Sequence, residues 1–79
     1  MIYVKTIKQF KEQLIEKGEI TFSLMNVTYY IKIYKEKVRV TSSYSKKIIT
    51  YNSVDDFIKN YQIYGSTIKD NLEEIEIKI

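Results

Sequence analysis

Between residues 20 and 41 the chain alternates apolar and polar side chains with little interruption. Ile20, Phe22 and Leu24 alternate with Thr21 and Ser23. Tyr29, Ile31 and Ile33 alternate with Tyr30, Lys32 and Tyr34. Val38 and Val40 then face away from Arg39 and Thr41. A period of two cannot be laid on a helix, but on a strand it gathers every apolar residue onto one side. The breaks at Met25-Asn26 and Lys35-Glu36-Lys37 are too short for anything but tight turns. Strands joined in this way are sequential antiparallel neighbours. After a polar, turn-like stretch from Ser42 to Lys47, Ile48-Ile49-Thr50-Tyr51 reads as a fourth short strand.

Helical spacing flanks this meander. Thr6 with Gln9 three residues later is a capping-box pattern, in which two unpaired helix-start amides find side-chain partners. Ile7, Phe10, Leu14 and Ile15 follow as an apolar stripe. Lys17 in the last turn and Gly18 as a left-handed terminator predict a helix over residues 7–17. Ile2 to Val4 before it reads as a short edge strand. After the meander, Ser53 caps a second helix whose first turn carries Asp55 and Asp56, where the helix dipole favours anions. Its stripe is Val54, Phe57, Ile58 and Tyr61, and it is expected to run until just before Gly65. Thr67 with Asp70 caps a third helix over about residues 68–74, carrying Ile68 and Leu72. Ile75, Ile77 and Ile79 alternate with Glu74, Glu76 and Lys78, so a strand or extended tail follows.

These elements predict one α+β domain over residues 1–79. An antiparallel four-strand meander has its helices packed on one face, in the order helix, strands, helix, helix. The expected core is Ile20, Phe22, Leu24, Tyr29, Ile31, Ile33, Val38 and Val40 from the sheet. Phe10, Leu14, Phe57, Ile58 and Leu72 cover them from the helices. A chain of 79 residues buries only about 60% of its unfolded surface, so stability is expected to be modest. Homodimer formation or binding to a larger partner would supplement it.

Composition narrows the chemistry. The sequence has no Cys, His, Trp, Pro or Ala, which removes the usual zinc ligands, thiolate and imidazole nucleophiles, and disulfides. No phosphate-binding glycine loop or nucleophile elbow occurs. The acid pairs Asp55-Asp56 and Glu73-Glu74 sit on adjacent helix positions that diverge, so neither converges on one reacting atom. A non-enzymatic protein without cofactor or metal is expected. Nothing in the sequence is long and apolar enough to span a bilayer or to serve as a signal peptide, which predicts a cytoplasmic protein with no membrane partner. Net charge is +3, but it is divided unevenly. Residues 1–52 carry ten basic groups against four acids, and residues 53–79 three against six. Such a dipolar surface can orient a partner.

The sheet face turned away from the helices is the expected partner-binding surface. It would show Tyr30, Lys32 and Tyr34 with Arg39 and Thr41 beside them. Lys35, Lys37, Lys46 and Lys47 would surround it, with Tyr44 among them. Rings interleaved with cations can stack on bases and neutralise phosphates, as in single-stranded nucleic-acid grooves. Tyr and Arg also concentrate at protein-binding hot spots. A protein partner, a nucleic acid, a homodimer contact and a merely solvated face are all open on these residues.

The element order, with the phrases Glu19-Ile20-Thr21-Phe22 and Ile63-Tyr64-Gly65-Ser66-Thr67-Ile68-Lys69, resembles small proteins of phages and mobile elements in low-GC bacteria. Anti-CRISPR inhibitors of RNA-guided nucleases are among these. The resemblance is one of topology and composition and carries over no functional residue. It implies an inhibitor that occludes a site on a host protein or nucleoprotein complex. Inhibitors that imitate DNA are strongly acidic, whereas this chain is basic overall. If the resemblance holds, the partner is met through the Tyr/Lys face, or the acidic C-terminal third acts alone.

Overall fold

The computed structural model describes residues 6–78. The first described element is helix α1 (Ile7–Lys17), followed by strands β1 (Glu19–Leu24), β2 (Val27–Tyr34), β3 (Lys37–Ser42) and β4 (Ile49–Tyr51). Helix α2 (Val54–Asn60) leads to a small hairpin of β5 (Gln62–Ile63) and β6 (Ser66–Thr67). A short helix α3 (Ile68–Asn71), a 3-10 turn (Leu72–Glu74) and strand β7 (Glu76–Lys78) follow. The architecture is α+β, with the four-strand antiparallel meander the sequence predicts. A fifth strand joins it, giving the order β4-β3-β2-β1-β7. The expected strand at Ile2–Val4 lies outside the described residues.

The local signals act as their chemistry requires. Thr6 Oγ1 accepts from the Gln9 amide at 3.1 Å, and Gly18 ends α1 at φ 74° with its N–H on the Leu14 carbonyl. The Gly18 carbonyl then accepts from the Ile33 amide at 2.9 Å, which fixes the helix end to β2. Met25-Asn26 and Lys35-Glu36 both turn with two consecutive positive φ angles. That backbone matches the right-handed twist of the strands it joins. The resulting register sets Ile20 opposite Ile31, Phe22 opposite Tyr29 and Ile31 opposite Val40, so the apolar rows of all three strands fall on one face.

Against that face pack Phe10 and Leu14 from α1, Phe57 from α2 and Ile68 from α3, each fully buried. Aromatic rings join the layers: Phe10 meets Phe22 edge-on at 5.8 Å, and Phe22 stacks on Tyr29 at 5.0 Å. Of the expected core, Ile33 and Ile58 are only partly buried and line its margin. Tyr61, Ile63, Ile68, Ile75 and Ile77 complete it.

The second half departs from expectation at two places. Helix α2 stops at Asn60 and does not continue to Gly65, because Tyr61 turns to an extended conformation (φ −71°, ψ 127°). This lets Ile63 reach the core, where a continuing helix would have carried the chain past it. The hairpin that follows turns at Tyr64 (φ 54°) and Gly65 (φ 79°). The side chain of Asn71 holds it by donating to the Ile63, Ser66 and Thr67 carbonyls at 3.0–3.3 Å. The third helix is shorter than expected as an α-helix, its last turn being 3-10. Beyond it, β7 pairs antiparallel with β1, setting Phe22 opposite Ile77.

Candidate functional site

The polar rows of the strands form the uncovered face of the sheet. Alternation places Tyr30, Lys32 and Tyr34 of β2 and Lys37, Arg39 and Thr41 of β3 on it. The register brings them together in pairs: Tyr30 with Thr41, Lys32 with Arg39, and Tyr34 with Lys37. All four residues singled out from the sequence, Tyr30, Lys32, Tyr34 and Arg39, are exposed and lie within two neighbouring strands.

Two contacts organise this group. The Arg39 guanidinium lies 4.5 Å from the centroid of the Tyr34 ring, and the Lys35 ammonium lies 5.4 Å from the same ring. The electron-rich ring face attracts both cations, and for Arg39 the flat guanidinium adds stacking. The contact favours one position of the Arg39 guanidinium, against the Tyr34 ring. Lys32 stands directly across from Arg39. Like charges facing each other across a ladder oppose folding by some tenths of a kcal/mol. Among the described residues the only ion pair lies elsewhere, between Lys11 of α1 and Asp55 of α2. The positive pair at Lys32 and Arg39 is therefore not neutralised within these residues.

Beside the cations lies a shallow hollow of about 210 Å³, lined by Tyr30, Lys32, Arg39, Val40, Thr41 and Ile48. Its accessible lining is almost wholly carbon. The contribution of Ile48 was not legible as a site feature, because in the sequence it reads as one more strand residue. In the structure it immediately precedes β4 and remains 66% exposed. A large apolar side chain left in water next to a cationic pair is the signal that identifies it.

Tyr44, expected among the lysines of this surface, instead lines a second concavity with Tyr29, Tyr61 and Tyr64. Among the described residues no three His, Cys, Asp or Glu side chains cluster as a metal site. No helix among them is long and apolar enough to cross a membrane. Compared with known proteins, the chain matches no family model, no curated protein and no solved structure at a significant level.

Proposed function

We propose that this is a non-enzymatic binding domain that covers an acidic site on a larger protein through the open face of its sheet. The observation that carries the reading is Arg39, held over Tyr34 and facing Lys32, at the rim of an apolar hollow. An apolar side chain of the partner would fill the hollow while a neighbouring carboxylate meets Arg39. A desolvated pocket with an arginine anchor at its edge is the arrangement on which binding energy concentrates. In the setting that the resemblance implies, the domain is a phage inhibitor acting in the host cytoplasm. Its partner is then a nucleic-acid-processing complex, and its mechanism is occlusion.

The second reading, direct binding of single-stranded nucleic acid, is favoured by the Tyr30 ring, 46% exposed and next to Lys32 and Arg39. Such grooves stack successive bases on successive rings. Here the second ring of the face, Tyr34, already carries the Arg39 guanidinium, which favours the protein partner.

The test is affinity capture from host lysate with and without nuclease, using the wild type, Tyr30→Ala, Lys32→Ala and Arg39→Ala. A protein retained after nuclease and lost with Arg39→Ala supports the first reading. Recovery abolished by nuclease transfers the assignment to nucleic acid. Capture that is equal in all four proteins removes the open face from consideration.

A further inference from the structure

The second concavity lies on the helix side of the molecule and has a different chemistry. It is a cleft of about 390 Å³, open along one side, lined by Val27, Tyr29, Ser42, Tyr44, Tyr61, Gln62, Ile63 and Tyr64. Among the described residues no charged side chain lines it. Tyr29 and Tyr61 form its floor, each only 7% exposed, and their rings meet edge-on at 6.5 Å. Tyr44, 88% exposed, and Tyr64, 66% exposed, line it from the β3–β4 loop and the β5–β6 turn.

The hydroxyls decide what this cleft can hold. Among the described residues, neither Tyr29 nor Tyr61 has a hydrogen-bond partner for its phenol, although both rings are more than nine-tenths buried. Neither oxygen is sealed from solvent, and both residues line the cleft. The phenols of Tyr44 and Tyr64 and the amide of Gln62 are likewise unpartnered within the described residues. Ser42 is not part of this set, because its hydroxyl accepts from the Ser45 amide at 3.0 Å and donates to the Ser45 carbonyl at 3.3 Å. Burial holds the Tyr61 phenol protonated, pushing its pKa up to about 12, and the same cause raises Tyr29. The cleft thus presents neutral groups able to donate hydrogen bonds, among aromatic side chains that line it.

We propose that the cleft binds a proline-rich segment of another chain in the polyproline II conformation. Such a segment is uncharged, its carbonyls make no internal hydrogen bonds, and its prolines bring no N–H of their own. Phenol and amide donors therefore meet acceptors, and pyrrolidine rings meet tyrosine faces. The preformed helix loses little entropy on docking in an aromatic-lined groove. None of these 79 residues is a proline, so none of them supplies the occupant. An anionic or cationic ligand would find no counter-charge in the lining. A glycan is the competing neutral ligand, since its hydroxyls can both donate to and accept from phenols, and the oligosaccharide arm of the test separates the two.

The experiment is an amide chemical-shift titration of isotope-labelled protein with a blocked oligoproline of about ten residues. A Gly-Ser peptide of equal length and a neutral oligosaccharide are the comparison ligands. Oligoproline alone should give saturable shifts at Ser42, Gln62, Ile63 and Tyr64. Tyr44→Ala and Tyr64→Ala should each weaken binding about ten-fold. Both rings are exposed, so the melting temperature should hold. Tyr61→Phe keeps the floor ring and removes one donor, and should weaken binding about five-fold. Glu12→Ala, on the outer side of α1, should bind as the wild type does. Absence of saturable shifts at the cleft amides would overturn the proposal. So would an equal response to Gly-Ser peptide, a response to oligosaccharide in place of oligoproline, or wild-type affinity in both Tyr44→Ala and Tyr64→Ala.

Discussion

Tyr29 and Tyr30 are neighbours in sequence and have opposite fates. Tyr29 is 7% exposed and stacks on Phe22, whereas Tyr30 is 46% exposed at the edge of an apolar hollow. The same holds along β2 and β3, where Ile31 adjoins Lys32 and Val38 adjoins Arg39. One face of the sheet is closed by contacts with Phe10, Phe57 and Ile68, except at the tyrosine cleft. The other carries cations and rings that only partly satisfy one another. Pleating alone separates the two, so one strand can specify the fold and present a surface. Substitutions at the fully buried positions of the covered face should act on stability, and those on the open face on binding.

The comparison is tested most severely at Phe10, which is fully buried against Phe22 and Phe57. Phe10→Ala should cost about 3–5 kcal/mol, enough to leave a domain of modest stability largely unfolded. Denaturant titration checks this, and a midpoint near that of wild type would show that the covered face does not set stability. Alkaline pH comes next. The folded-state pKa of Tyr61 stands near 12, above the ordinary 10.0 of an unfolded tyrosine, chiefly through burial and then through the Tyr29 and Tyr51 phenols. The folded state therefore holds its proton where the unfolded state releases it. The Tyr61 contribution is complete below pH 10 and is lost as pH rises through 12. Melting followed over this range should show a smaller loss in Tyr61→Phe than in wild type.

At the helix start, Thr6→Ala removes the acceptor of the Gln9 amide and should cost about 1 kcal/mol by the same denaturant assay. The smallest effects belong to the open face. Tyr30→Ala, Lys32→Ala and Arg39→Ala should each change stability by no more than about 0.5 kcal/mol. If the partner is a single-stranded nucleic acid, Lys32→Ala and Arg39→Ala should each lower the logarithmic salt slope by about 0.7. A large loss of stability at any of these three positions would break the separation between the faces.

The first half of the molecule was legible because its determinants are local. Thr6, Gln9 and Gly18 mark α1 within its own length, and alternation marks β1 to β3 strand by strand. The face on which Tyr30, Lys32, Tyr34 and Arg39 lie follows from that alternation alone. What escaped depends on distant contacts. The residues after Asn60 continue an apolar stripe compatible with helix, but the chain turns at Tyr61 to deliver Ile63 to the core. A two-residue hairpin strand has little stability of its own, and Asn71, several residues further on, supplies the bonds that hold this one. The Tyr64-Gly65 pair was the available signal, since consecutive positive φ angles suit a hairpin turn. The hollow's dependence on Ile48 and the tyrosine cleft both needed side chains from separate strands and loops to be seen together.

The pairing of β7 with β1 has a consequence for how the protein is made. Thr21 and Ser23 meet partners more than fifty residues later in the chain, at Lys78 and Glu76. During synthesis the meander can form as soon as its hairpins emerge, but β1 then remains an edge with unpaired amides and carbonyls. Such an edge is a template for pairing with other chains, and closing so long a loop makes its correct partner a late arrival. Until residues 76–78 leave the ribosome, the nascent domain is exposed to misassembly along β1. The final strand thus acts as a safeguard against aggregation as well as a part of the sheet.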